Sequence, residues 1–363
     1  MITRAYLVAD REVRADQIIA GMPALLRQIL SLQAAGILEV LLVGVPAQSH
    51  QRDPRVRIAV HEAAEVPAHP EGPALVAVAG AVWTPAFLQK LVRVPVPAGS
   101  PIVPVRSIEL VVVPRTPADI EAATDLLMRS LYKPTDGIIS RYLNRRLSLS
   151  ISRRLLRFDV SPNHLTALAT LFGLAGVVVV YRGGYWPLLT GTLLLQMQSL
   201  LDGCDGEVAR IKYLHSRAGE WFDQVADDVL NIAFLAAVGA ALARAGHRSA
   251  AWIAGVSVAC QVVYMIALYA GLAVKAGGRG SVATLRWWVD KPGPSSSATR
   301  VIGDLTRRDF ICFLYFACAV FNVIEIALVW HAVVTILSAV VTATGWVVFG
   351  GPEFRDPQSA PVP

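Results

Sequence analysis

The spacing of hydrophobic positions changes along this chain. Between residues 1 and 118, short apolar runs alternate with helix-spaced stretches. The runs are AYLVA from Ala5, VLLVGV from Val40, VRIAV from Val56, LVAVAG from Leu75 and LVVVP from Leu110. Each has the length and β-branched content of a buried strand. PALLRQILSLQAAG, from Pro23, has helical spacing between the first two. Such alternation predicts a small soluble α/β domain built on βαβ units. From residue 165 to 350 the apolar runs lengthen. A run of about twenty residues spans the ~30 Å hydrocarbon core of a bilayer. The pattern predicts six spanning helices, over 163–182, 186–210, 217–244, 249–276, 308–328 and 331–350.

Residues 119–136 read as a helical connector ending in KPTDG, and 351–363 as a C-terminal tail. The segment Gly137–Phe158 carries Arg141, Arg145, Arg146, Arg153, Arg154 and Arg157 and no acid. Its apolar residues recur at helical spacing, which predicts an interfacial amphipathic helix on an anionic membrane surface. The fold class expected is therefore an α-helical integral membrane domain over 137–350, fused to a soluble α/β domain over 1–118.

Of the 363 residues 54% are apolar, too many in too long runs for one soluble core. The net charge of +6 has much of its basic excess near the expected membrane edges. That favours lipid headgroups over nucleic acid as partner. The basic loops lie on one side: the Arg-rich helix, Arg210 to Arg217, and Lys275 to Arg308. The positive-inside rule puts that side, and both termini, in the cytoplasm. The charged start MITRAYLVADREVRAD has no signal-peptide pattern. Cys204, Cys260, Cys312 and Cys318 lack metal or disulfide spacing and read as packing residues.

The chemistry is concentrated in LDGCDGEVARIKYLHSRAGEWFDQVADD, Leu201 to Asp228. Asp202 and Asp205 share one helix face, as do Asp223 and Asp227 on the next. With a turn near Leu214, Asp205 and Asp223 each lie nine residues from it, and Asp202 and Asp227 twelve and thirteen. Four acids thus meet at matching depths. Each costs roughly 2.5–3.5 kcal/mol at a helix centre, so cations must neutralise them, and no four basic residues share their stripe. Hard carboxylate oxygens suit Mg2+ or Mn2+, as one ion or two. Gly206 and Ala209 leave space beside the acids.

Asp202-x-x-Asp205-Gly206-x-x-Ala209-Arg210, then eight residues, then Gly219-x-x-x-Asp223-x-x-x-Asp227, resembles the full signature of CDP-alcohol phosphotransferases. Pro162-Asn163-His164-Leu165-Thr166 resembles that family's element at its first spanning helix. The resemblance implies transfer of a phosphoalcohol from a CDP-alcohol to an acceptor hydroxyl, with release of CMP. It implies metal binding by Asp202, Asp205, Asp223 and Asp227, with Asp227 as catalytic base. It implies nucleotide contacts from Asn163, Thr166, Asp202, Gly206, Ala209 and Arg210, and a homodimer. Lys275, Lys291 and Arg300 are candidates to hold the acceptor, a phosphoalcohol or a lipid.

MPALLRQILSLQAAGILEVLLVG is similar to part of a sugar-phosphate nucleotidyltransferase domain. Where that family has a Gly-rich loop around the triphosphate, this chain reads VADREVRADQIIAG. Without clustered glycines the backbone cannot wrap phosphates, so a structural or docking role is expected for 1–118. KPTDGIISRYLNRRLS resembles fused cytidylyltransferase/di-myo-inositol-phosphate-phosphate synthases, which implies a polyol substrate. Two further readings are a bifunctional enzyme that also makes its CDP-alcohol from CTP, and a transporter with an acidic cation path.

Overall fold

The computed structural model describes residues 2–45, 53–68, 70, 72–94, 102–105, 111–132, 136–275, 285–287, 289, 301 and 303–354. The strands of the first domain are β1 (Arg4–Val8), β2 (Ile18–Ile19), β3 (Met22–Pro23), β4 (Glu39–Val43), β5 (Ala59–Ala63), β6 (Ala74–Val78), β7 (Val82–Trp83), β8 (Ile102–Pro104) and β9 (Val111–Val112). Five form a parallel sheet in the order β5-β4-β1-β6-β8. Helices α1 (Ala24–Ala34) and α2 (Pro85–Arg93) help to enclose it. Leu7, Leu25, Ile29, Leu42 and Leu75 are fully buried between these layers.

Two strand expectations shift. VRIAV begins its strand three residues late, at Ala59. Asp53 accepts from the Arg55 amide at 3.0 Å and draws Arg55 and Val56 into a turn. Of LVVVP, Val111–Val112 pairs antiparallel with β7, outside the main sheet.

The N-terminal α/β region packs on the helices that follow it. Helix α3 (Pro117–Arg129) starts with a Thr116–Asp119 capping box. Its Ala123, Leu127 and Met128 share one apolar cluster with Leu149, Cys204 and Val208 of the following helices. The expected amphipathic helix forms as a π-turn, Ser140–Asn144, running into α4 (Arg145–Leu155). Its polar side differs from the expectation. Arg145, Ser148 and Ser152 are spaced to share a face, and all three are buried. They point at Glu207, which is 0% exposed. Arg145 Nη1, Ser148 Oγ and Ser152 Oγ donate to its carboxylate at 2.7, 2.6 and 2.7 Å. Arg145 also pairs with Asp136 at 3.1 Å. Arg153 pairs with Asp125 and Glu121 of α3. Two of the six arginines expected at headgroups, Arg145 and Arg153, therefore serve internal contacts, whereas Tyr142 and Leu147 stay exposed.

The remaining helices are α5 (Pro162–Tyr181), α6 (Tyr185–Ile211), α7 (Arg217–Arg244), α8 (Arg248–Lys275), α9 (Arg308–Val320) and α10 (Ile324–Phe349). Among the described residues, four are long and apolar enough to cross a membrane: Pro162–Tyr181, Ala218–Arg244, Arg248–Lys275 and Ile324–Phe349. Large apolar side chains such as Trp252, Ile266 and Val347 cover their outer faces. Helix α6 has 27 residues but carries Asp202, Asp205, Glu207 and Arg210 toward its C-terminal end. Helix α9, at 13 residues, rises only about 20 Å. The last two helices divide at Phe321–Val323 rather than near Trp330, because Asn322 takes φ 57° and Val323 donates back to Cys318. His331 continues α10 and meets Tyr315 at 3.2 Å. Helices α5 and α6 approach closely: a Cβ on Gly191 would lie 2.8 Å from the Gly176 carbonyl oxygen.

Candidate active site

Three helix ends converge where α6 turns into α7. Lys212 donates to Val208 and Leu214 to Ala209, both at 2.9 Å, closing α6 through Tyr213 at φ 52°. This is a Schellman-type end, with tyrosine at the position glycine usually takes. Ser216 then caps α7, its Oγ accepting from the Gly219 amide at 3.0 Å. Ser161 caps α5, and Pro162 occupies its first turn. The positive ends of α5 and α7 therefore face one cleft, of about 210 Å³. Asn163, Thr166, Gly206, Ala209, Arg210 and Gly219 line it, with Asp205 and Asp223 at its inner edge. These lining residues include every predicted nucleotide contact except Asp202.

One wall of the cleft suits an anion, apart from the carboxylates of Asp205, Glu220 and Asp223 that also line it. Two helix N-termini bring unpaired amides and positive partial charge to it. Arg210 lies alongside Gly206, within 3.5 Å of where a Cβ would stand. Its Nε is buried without a partner. A Cβ on Gly219 would fall 2.8 Å from Ser216 Oγ and 3.0 Å from Asn163 Oδ1. Glycine at both positions keeps the cleft open.

Deeper in, Asp202, Asp223 and Asp227 each offer an oxygen, all within 4.8 Å of one another. Asp205 lies beside this trio, its Oδ2 accepting from Thr166 Oγ1. The expected four-acid group thus divides into a trio and a neighbour tied to α5.

A fifth charge enters from outside the hairpin. Arg308, the first residue of α9, donates through Nη1 to Asp227 Oδ2 and stands 3.8 Å from Asp202. Its Nη2 donates to Gln198 at 2.8 Å, and Gln198 Nε2 donates to Asp227 Oδ1 at 3.1 Å. A single basic partner from outside the hairpin therefore offsets part of the acidic charge. Three carboxylates against one guanidinium still leave two negative charges, which suits one divalent cation. The donor set, all hard oxygen, fits Mg2+ or Mn2+.

A second polar cavity, of about 390 Å³, opens on the other side of Asp202 and is lined in part by Ser199, Gly203, Arg307 and Arg308. Of the residues proposed for the acceptor, Lys275 is exposed at the end of α8 and lines neither cavity. Lys291 and Arg300 fall outside the described residues. Sequence reasoning treated Arg308 only as a topology-setting charge, and it passed over Gln198 and Glu207. Gln198 lies one helical turn before Asp202 in an apolar stretch, a signal that spacing alone could have supplied.

Residues 159–337 match the family model described as CDP-alcohol phosphatidyltransferase. Among curated proteins, a bifunctional IPC transferase and DIPP synthase of Aquifex aeolicus is 43% identical over 124 residues, 34% of this chain and 28% of that protein. A protein of the same description from Rubrobacter xylanophilus is 32% identical over 199 residues, 52% of this chain and 45% of that one. The chain thus spans about a quarter of the first relative's length and under half of the second's. Among solved structures, Mycobacterium tuberculosis phosphatidylinositol phosphate synthase with CDP-DAG bound overlaps at a TM-score of 0.40 and 20% identity, over 56% of this chain and 94% of that one. The signature residues, their placement around one cleft and the match over 159–337 agree: residues 159–337 of this chain match as a CDP-alcohol phosphatidyltransferase domain.

Proposed function

We propose that the chain transfers a phosphoalcohol group from a CDP-alcohol to an acceptor hydroxyl and releases CMP. One observation carries this reading: the Asp202–Asp223–Asp227 trio reaches the cleft through Asp223 and a second polar cavity through Asp202. The cytidine diphosphate occupies the cleft, with its pyrophosphate toward Arg210 and the N-termini of α5 and α7. Asn163 and Thr166 hold it from the α5 side. A divalent ion on the trio would screen the pyrophosphate and polarise the phosphorus. Asp205 sits within reach of the same charge, tied to Thr166.

Asp227 accepts the proton of the acceptor hydroxyl as its oxygen bonds to phosphorus and the bond to CMP breaks. Arg308 and Gln198 orient that carboxylate through both its oxygens. Arg308 also places positive charge beside the entering acceptor. Attack is in line, with no covalent enzyme intermediate. A polyol phosphate acceptor fits the polar second cavity. We further place helices α5 to α10 in the bilayer, the short α9 together with its neighbours, with the site and both termini on the cytoplasmic side, and the chain as a homodimer in lipid.

The decisive experiment is CMP release by the purified protein with Mg2+ or Mn2+, across a panel of CDP-alcohols and acceptors. CDP-inositol and CDP-diacylglycerol come first. No release from any donor in the panel would sink the reading. A second reading, in which the soluble domain also makes the CDP-alcohol, is favoured by the word bifunctional in the relatives' names. Pyrophosphate formed from CTP and a phosphoalcohol would support it. Against it, the segment that replaces the phosphate-wrapping loop ends in the β2–β3 hairpin, whose turn at Gly21 lies against the end of α4.

A further inference from the structure

The turn between α6 and α7 is held from outside the membrane domain. A helix leaves its last carbonyls unpaired. Here two of them, on Ile211 and Lys212, are taken by arginines of the soluble domain. Arg27 Nη1 donates to the Ile211 oxygen at 2.5 Å and Arg55 Nη1 to the Lys212 oxygen at 2.7 Å. Arg27 is 3% exposed and its Nη2 donates to the Ile19 and Ala20 carbonyls, and among the described residues no carboxylate accepts from it. Burial pushes its pKa down to about 10, which still leaves it cationic at neutral pH. A buried cation without an acid partner is costly. At this place it meets the negative end of α6.

Three further contacts fix the same turn. Tyr213, held in the left-handed region that a side chain disfavours, packs with Met22, Leu26 and Leu30 of the soluble domain. Lys212 Nζ donates to the Phe158 oxygen at 2.7 Å. Gly21, at φ 76°, brings the β2–β3 hairpin so near the end of α4 that a Cβ would lie 2.2 Å from the Leu156 oxygen. The next residues along, Leu214, His215 and Ser216, line the anion cleft. The arms on either side carry all four acids.

We propose that the soluble domain is a brace for the catalytic hairpin: Arg27 and Arg55 are positioning residues that fix the α6–α7 turn, and with it the wall of the nucleotide cleft and the spacing of the two acid pairs. The brace couples both ways. Whatever rigidifies the cleft also tightens the dock, and loosening the dock weakens nucleotide binding. The inference rests on the function proposed above for what the cleft binds, but not for the existence of the brace.

The test uses the full chain in lipid nanodiscs with Mg2+. Amide hydrogen exchange is followed at residues 209–216, and KM and kcat are measured for CMP release. Arg27→Ala should raise exchange at the Leu214 amide at least tenfold and raise KM for the CDP-alcohol about tenfold, with a smaller change in kcat. Arg27→Lys, which keeps the cation, should recover part of both. Gly21→Ala should reproduce the effect by wedging the dock, with Arg27 intact. Arg4→Ala, which removes the Arg4–Glu39 pair of the same domain, should change neither. Exchange and KM within twofold of the parent in both Arg27→Ala and Gly21→Ala would overturn the brace. If the parent releases no CMP, the functional reading fails, and exchange with CDP affinity still decides the brace. If Arg27→Ala does not fold, Arg55→Ala, whose side chain is 28% exposed, serves in its place.

Discussion

Arg308 donates to Asp227 across 81 residues of sequence, from the first turn of α9 to the last signature acid of the hairpin. The contact ties the last pair of helices to the signature pair, and it holds the base candidate in one orientation together with Gln198. Arg308→Gln should lower CMP release on the order of 10²-fold, as for loss of one charge-stabilising donor at a transition state. Steady-state kinetics checks this. Arg308→Lys should recover little, since one ammonium cannot reach both Asp227 and Gln198 with the geometry of a guanidinium fork.

Asp223→Asn and Asp227→Asn should separate two roles. Both should reduce turnover by 10²-fold or more. Asp223→Asn should weaken the Mg2+ or Mn2+ midpoint of activity, whereas Asp227→Asn should keep most of its CDP-alcohol affinity. Chelation should abolish CMP release, and either ion should restore it. Parent-like turnover in either variant would contradict the assigned roles.

Glu207 accepts three hydrogen bonds from α4 and has no exposed surface. Removing one partner of such a buried pair costs about 3–5 kcal/mol. Glu207→Gln and Arg145→Ala should each lower the thermal unfolding midpoint in detergent. The double variant should lose less than the sum, because the second change relieves the charge stranded by the first.

Gly191 lies against Val180 and Gly176, with a Cβ position 2.3 Å from Val180 Cγ2. Gly191→Val would force α5 from α6, at about 1–3 kcal/mol or more. Thr166 and Asn163 would move with α5, away from Asp205. The variant should lose thermal stability and nucleotide affinity together, where a remote overpacking variant would lose only stability.

Much of this was legible in the sequence, for physical reasons. The acid pairs could be read because a helix repeats every 3.6 residues and a hairpin has a centre. The long apolar runs could be read because a bilayer has a thickness. Arg308 and Glu207 could not be placed, since each finds its partner on a helix at least 55 residues away. The polar side of α4 misled for a related reason. A basic stripe on a surface helix looks the same whether it meets lipid headgroups or a buried glutamate. The break at Asn322 did leave a sign, since asparagine tolerates the left-handed helix end it makes, but one such residue is a weak signal inside a long apolar run.

The carbonyls of Ile211 and Lys212 also decide where this chain can be divided. A cut after residue 136 follows the boundary that composition draws, yet it would strip the α6 terminus of both arginine donors and bare Tyr213 to water. The isolated membrane half should therefore be expressed and inserted but carry a frayed helix end at the mouth of its own cleft.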